Sequence, residues 1–320
     1  MNQTGGIRER VPPVWLRIRI HAGGRAMEKF APLNLNPDEL VEYTPQWHGE
    51  RLPDGRPRVP DGIMARMRQV TITQAWGVLA GEGFDHQYEG GWQCTHPGGV
   101  LCGRALTALY MPRRPDLRTL MEAKGERTGQ VGDQISWPID ALCPGDVYVA
   151  DMYGKVAQGP IIGDNLATAI LARSGNGVVH DAAVRDLEGI EELGPAFTSF
   201  VRGWHPSYAS PTIMLAGLNC PVRLGLATVM PGDVVLGKRE GVIFIPPHLA
   251  EKVVTTSEIV RLRDTFGKLR LSEGRYTSGE IDRRWSDAIE RDFSEWLSAH
   301  LDQLPVPAEV VQEYLQQRTW

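Results

Sequence analysis

The chain has 320 residues, 42% of them hydrophobic, which is enough for one large domain with extensions or two smaller ones. Lys and Arg number 34 against 39 Asp and Glu, and the formal net charge of −5 argues against a general nucleic-acid binder. Four cysteines (Cys94, Cys102, Cys143, Cys220) without a C-x-x-C pair, no apolar run long enough for a bilayer and no secretory h-region point to a cytoplasmic protein with reduced thiols and no membrane partner.

Residues 1–26 hold five arginines (Arg8, Arg10, Arg17, Arg19, Arg25) among Gly and Pro with one acid, Glu9. They read as a flexible basic arm or as sequence upstream of a true start at Met27. The stretch 51–60 reads as a Pro-rich connector. Asp61 is expected to cap a helix carrying Ile63, Met64, Met67 and Val70. A strand is predicted from Val100 to Leu109, and residues 112–135, rich in Pro, Gly and charge, as a loop or insertion.

Two segments resemble each other: Pro144-Gly145-Asp146-Val147 and Pro231-Gly232-Asp233-Val234. Each is expected to be a tight turn feeding a buried strand. Between them lies the densest chemical signal. Gly163-Asp164-Asn165-Leu166 opens a helical pattern, a Gly turn follows at Gly175 and Gly177, then the strand-like Val178-Val179, then Arg185-Asp186. Twenty residues separate Asp164 from Arg185. This order can bring a helix N-terminus, a guanidinium and two carboxylates together, the parts that hold an organic anion beside a hydrated divalent cation. Taken singly, Asp164 reads as an N-cap, and Arg185-Asp186 as a surface ion pair or as the cap of a helix over Leu187–Leu193. A strand is expected over Phe197–Val201, followed by Arg202-Gly203-Trp204-His205-Pro206. After Pro246-Pro247 the chain turns helical, first on a face of Leu249, Val253, Ile259, Leu262 and Phe266. A second helix is then expected after Thr277, with Glu280 completing a capping box and Ile281, Trp285, Ile289, Phe293, Trp296 and Leu297 as a packing stripe.

From Gly103 to Pro246 the sequence resembles the RraA-like family, which includes the regulator of RNase E activity A and the class II 4-hydroxy-4-methyl-2-oxoglutarate aldolases. The resemblance rests on Gly103-Arg104-Ala105-Leu106-Thr107, both Pro-Gly-Asp-Val turns, Gly163-Asp164-Asn165-Leu166, Gly177 through Asp186, and Gly241-Val242-Ile243-Phe244-Ile245-Pro246. It implies an α/β fold, a compact β/β/α domain of the swivelling type, assembled as a homotrimer or homohexamer with sites between subunits. It further implies a magnesium- or manganese-dependent lyase that cleaves 4-hydroxy-2-oxo acids to pyruvate and decarboxylates oxaloacetate. By the same resemblance Asp186 corresponds to the metal-binding aspartate and Arg185 to the arginine that grips the substrate carboxylate. Asp164 corresponds to the acid near the metal-bound water, and the backbone of Asn165 and Leu166, after Gly163, to donors for the pyruvyl group. The chain departs from the family at Gly189, where an acid is frequent, at Ala182, where glycine is common, and at His180, where an aliphatic residue is usual. Glu240 is a candidate for the acid a neighbouring subunit supplies.

The expected layout is an arm and connector over 1–60, an RraA-like catalytic domain over 61–247 and a helical extension over 248–320. Asp85, His86, Cys94 and His96 match no standard zinc spacing and read as loop structure. His205 and Trp204 are candidates for lining the distal part of a pocket, and Lys155 for contacting a second carboxylate. The leading expectation is a carbon–carbon lyase acting on a small 2-oxo acid, with no nucleic-acid partner. The alternatives are a non-catalytic RraA-like regulatory binder, or a hydratase or isomerase using the same enolate chemistry.

Overall fold

A computed structural model describes residues 32–301, 304 and 306–317. The Arg-rich segment 1–26 and Met27 lie outside the described residues. The strands in chain order are β1 Tyr88–Glu89, β2 Gln93–Cys94, β3 Leu101–Pro112, β4 Asp146–Lys155, β5 Val178–Val184, β6 Phe200–Trp204, β7 Ile213–Leu218, β8 Val222–Leu224, β9 Ala227–Val229, β10 Val234–Lys238 and β11 Gly241–Ile245. The helices are α1 Pro37–Tyr43, α2 Asp61–Met67, α3 Ile72–Gly81, α4 Pro115–Arg127, α5 Trp137–Asp140, α6 Asp164–Ser174, α7 Leu187–Glu191, α8 Ala250–Ser272, α9 Ser278–Ile281, α10 Asp287–Ala299 and α11 Ala308–Gln317.

Nine strands form one mixed sheet in the order β1-β11-β10-β3-β4-β5-β6-β2, with β7 also on β3. The four strands β3, β4, β5 and β6 run parallel, joined through α4–α5, α6 and α7. Their residues are near-continuously buried and apolar, as a sheet covered on both faces requires. On its other side β3 pairs antiparallel first with β10 and then, from Ala108 onward, with β7, whose register shifts at Leu109/Tyr110. The fold is thus the expected α/β class.

One core cluster packs α4–α6 against the parallel strands through Leu106, Tyr148, Ile170 and Val178. A second seats α2, α3 and the start of α8 on β10 and β11 through Met67, Leu79, Ile243 and Val253. The second half of α8 with α10 and α11 forms its own cluster around Phe266, Trp285, Phe293 and Trp296, with Phe266 centred 5.2 Å from Phe293. The aromatic stripe of the C-terminal helices therefore serves packing, as its spacing implied.

Several local expectations are corrected. Residues 112–135 are not a loop: Pro115 at the first helical turn starts α4, whose Met121 and Gly125 are buried. Asp61 is the first helical residue of α2 and Pro60 holds the cap position. The helix after Thr277 has its capping box, but it ends at Ile281 and restarts at Asp287. The strand near Phe197 begins at Phe200, because Pro195–Phe197 form a 3-10 turn. The Pro-rich stretch carries an Arg51–Pro57 bridge and a fully buried Arg56. Among the described residues no helix is long and apolar enough to cross a membrane, and all four cysteines are free.

Candidate active site

The carboxyl ends of parallel strands in an open α/β sheet are where loops diverge and helix N-termini converge. Asp164 starts α6 after β4, Arg185-Asp186 follow β5, and His205 follows β6. Backbone bonds tie the three segments together: Arg185 N–H donates to Ile162 O at 3.1 Å, His205 N–H to Val184 O at 3.0 Å and Ala209 N–H to Pro160 O at 2.9 Å.

Gly163, not Asp164, holds the cap position of α6, and Asp164 is the first helical residue. The reason is steric. A Cβ on Gly163 would stand 2.3 Å from Asp186 Oδ2 and 3.2 Å from Arg185 Nε. Glycine there lets the arginine and aspartate close over the helix start. A Cβ on Gly189 would stand 2.8 Å from the Asp164 Cβ and 3.0 Å from its Oδ2. The space an acid at position 189 would need is thus occupied by Asp164 itself. The structure brings Gly163, Asp164, Arg185 and Asp186 into one cluster, with Asn165 and Leu166 in the adjoining first turn.

Arg185 Nε lies 3.3 Å from Asp186 Oδ2, with the two side chains 38% and 47% exposed. A pair this open contributes little to stability, so both groups keep most of their capacity for a ligand. Asp186 sits at φ 55°, ψ 49°, a left-handed conformation that non-glycine residues adopt at some cost. It occupies the cap position of α7 without making a side-chain cap bond. Asp164 Oδ1 accepts the Asn165 N–H at 2.7 Å, so that amide is shared between Asp164 and any incoming anion. The Leu166 N–H precedes the first intrahelical bond, Ala167 N–H to Gly163 O, and points out of the helix start.

Tyr208, which no sequence motif marks, has its ring 5.3 Å from the Arg185 guanidinium carbon. Its signal was only proximity to the 202–206 segment. Arg202 is committed elsewhere: it donates to Asp181 Oδ1 (2.7 Å) and Glu89 Oε1 (2.8 Å) and stacks 3.7 Å over Trp92. His205 Nδ1 shares a hydrogen with Ser207 Oγ at 2.8 Å, and Trp204 is partly exposed at the end of β6. Glu240 lies in the β10–β11 hairpin turn, away from this cluster in sequence and sheet position. The hollow beside Trp47 and His248 lies apart from these residues, and the exposed side chains of Arg185 and Asp186 make the cluster an open face within one chain.

Among the described residues no three His, Cys, Asp or Glu side chains converge as a metal cage. Asp186 nevertheless suits a hard cation that keeps most of its waters: one carboxylate oxygen faces Arg185, the other has no hydrogen-bond partner among the described residues, and the group is well exposed.

The family model described as RraA-like, Aldolase/RraA, matches residues 77–244. The chain is 32% identical over 130 residues to a Halalkalibacterium halodurans protein named "Putative 4-hydroxy-4-methyl-2-oxoglutarate aldolase", over 41% of this chain and 60% of that one. It is 26% identical over 189 residues to Protein DlpA of Legionella pneumophila, over 58% of this chain and 28% of that one. The chain therefore spans less than two thirds of the length of these curated relatives. Among solved structures, Streptomyces coelicolor RraAS2, described as an unusual member of the RNase ES inhibitor RraA protein family, aligns with TM-score 0.57 and 26% identity over 67% of this chain and 99% of its own. An uncharacterized protein of Pseudomonas syringae pv. tomato shares the fold, with TM-score 0.57 at 20% identity, over 70% of this chain and 98% of its own. With its motif blocks in order, this sheet beneath them and more than half of its length matched, the chain belongs to the RraA-like family.

Proposed function

We propose that the chain is a divalent-metal-dependent carbon–carbon lyase that cleaves a 4-hydroxy-2-oxo acid to pyruvate and a carbonyl product, and that also decarboxylates oxaloacetate. The observation that carries this reading is the closure of Arg185 and Asp186 on Gly163 at the start of α6. A guanidinium and a carboxylate share one small surface there, a pairing that supports binding of a 2-oxo acid beside a cation and that a purely protein-binding face does not need.

In this reading Arg185 presents two N–H groups to the substrate carboxylate, a fork that a lysine does not reproduce. Tyr208 backs the guanidinium. Asp186 would hold magnesium or manganese, largely through water. When bound, the cation supplies positive charge to the 2-oxo oxygen as negative charge develops on it. The Leu166 N–H adds the partial positive charge of the helix start to the same oxygen. Asp164 takes the proton of the C4 hydroxyl. The C3–C4 bond then breaks, its electron pair passing into the pyruvate enolate while C4 becomes a carbonyl, and the enolate is protonated at C3.

Because the cluster is open in one chain, the working form is proposed to be a homotrimer or homohexamer in which a neighbouring subunit covers it, in the cytoplasm and without nucleic-acid or membrane partners. The similarity to RraAS2 favours a second reading, a regulatory binder of another protein. Pyruvate release from 4-hydroxy-2-oxo acids and from oxaloacetate, followed through lactate dehydrogenase with and without magnesium, separates the two. Metal-dependent release that Arg185→Ala and Asp186→Ala each abolish supports the lyase. No release from any substrate, with no magnesium binding by calorimetry, removes it in favour of the binder.

A further inference from the structure

The two Pro-Gly-Asp-Val turns are built alike to the level of single hydrogen bonds. Gly145 and Gly232 have φ of +83° and +91°. Asp146 N–H donates to Cys143 O at 3.1 Å, and Asp233 N–H to Met230 O at 3.1 Å. Asp146 Oδ2 accepts the Cys143 N–H at 2.9 Å, and Asp233 Oδ2 the Met230 N–H at 2.8 Å. Both turns hydrogen-bond to neighbouring residues of β3, through Arg104 N–H to Gly145 O and Gly232 N–H to Ala105 O.

They differ in what neutralises the aspartate. In the first turn Arg56, itself fully buried, places Nη2 2.8 Å from Asp146 Oδ2, and Arg104 Nε lies 3.4 Å from Oδ1. In the second turn no cation reaches Asp233 among the described residues, although it is only 2% exposed, and Oδ1 has no hydrogen bond. A buried carboxylate without a counter-charge is costly. Asp233 nevertheless borders open space. It lines a hollow of about 260 Å³ together with Tyr43, Trp47, Phe84, Pro247 and His248. The wall also carries Thr44, Gln46, Gln87 and Thr228, so aromatic faces and neutral polar groups surround a single acid, the chemistry that recognises an organic cation. None of these residues belongs to the cluster at Asp164, Arg185 and Asp186.

We propose that this hollow is a second binding site, for a small organic cation with a guanidinium or primary ammonium on a short apolar body, and that the ligand's charge takes on Asp233 the place that Arg56 takes on Asp146. The site is independent of the lyase reading.

The test is calorimetric titration of the full chain with butylguanidinium and with its neutral isostere butylurea, at about pH 8, where a free carboxyl is ionised. Butylguanidinium is expected to bind at least about tenfold more tightly than butylurea. Asp233→Asn should erase that preference. Thr228→Trp, on the exposed side of β9 and lining the hollow, should block binding while leaving the carboxyl in place, which keeps the test decisive if Asp233→Asn folds poorly. Absence of binding at millimolar concentration, equal binding of cation and isostere, or undiminished binding by either folded variant overturns the proposal.

Discussion

Gly189 lies so close to Asp164 that a Cβ on it would stand 2.8 Å from the Asp164 Cβ, so the glycine after β5 and the acid opening α6 have to be read as a pair. Gly163 and Asp186 form a matching pair, since a Cβ on Gly163 would stand 2.3 Å from Asp186 Oδ2. Two side chains of the proposed site thus owe their positions to the absence of two others.

Gly163→Ala and Gly189→Ala are therefore expected to damage function more than folding. At Gly163 the added methyl must displace the Asp186 carboxylate or the Arg185 stem, and a shift of about 1 Å is worth on the order of 10²-fold in rate. Gly163 has φ −117°, so no backbone strain accompanies the change. Gly189→Ala should cost less, because α7 is a short helix that gains a better helix former. Steady-state pyruvate release beside thermal melting reads both effects; a melting point that falls in step with activity would make the glycines merely structural.

Tyr208 should act on binding rather than turnover. Its ring faces the Arg185 guanidinium across 5.3 Å and is partly exposed, a contact of about 0.5–1 kcal/mol. Tyr208→Phe keeps the ring and is expected to change little. Tyr208→Ala should raise KM about two- to fivefold with kcat nearly unchanged. A loss confined to kcat would show that the ring does something other than hold the arginine.

His180 is fully buried on β5, neither ring nitrogen has a hydrogen-bond partner, and burial pushes its pKa down to about 3. It is neutral in the folded chain, whereas the unfolded chain takes up a proton near pH 6.5. The stability associated with this residue is thus present above about pH 6.5 and drains away as pH falls toward 3, at up to about 1.4 kcal/mol per pH unit. His180→Leu removes two unsatisfied polar atoms as well. It should stabilise the protein by about 1–3 kcal/mol at pH 7 and flatten its acid sensitivity, as urea unfolding across pH 4–8 will show.

Asp233 runs the opposite way. Burial raises its pKa to about 7, against the lowering effect of the Met230 N–H. The folded chain therefore holds a proton that the unfolded chain releases near pH 4, so stability is greatest below that value and falls until about pH 7. Asp233→Asn has no such proton to exchange and retains an oxygen for the Met230 N–H. Its stability relative to the parent should rise by up to about 4 kcal/mol between pH 4 and 7 and stay level above. A difference that does not vary with pH would mean that the carboxyl is solvated.

The sequence by itself determined what depends on short range. The paired Pro-Gly-Asp-Val turns need glycine at positive φ and an acid that bonds three residues back, and both are visible as letters. The helix after Gly163 and the strand before Arg185 follow from residue spacing. The order of the motif blocks was enough to place the family. Residues 112–135 misled because Pro and Gly are read as breakers, whereas Pro115 begins α4 and Gly125 packs beneath Trp137.

Tertiary structure alone decided which charges meet. Arg56 lies 90 residues from Asp146 in sequence and touches it, while Asp233, alike in sequence to Asp146, has no such partner among the described residues. Likewise, that Gly163 supports Asp186, that Gly189 supports Asp164 and that Tyr208 faces Arg185 are outcomes of three strand ends meeting at one edge of a parallel sheet. Local preference specifies the strands and turns. Which side chains share a few ångströms of space is set by sheet order and register, and these are fixed by burial across the whole chain.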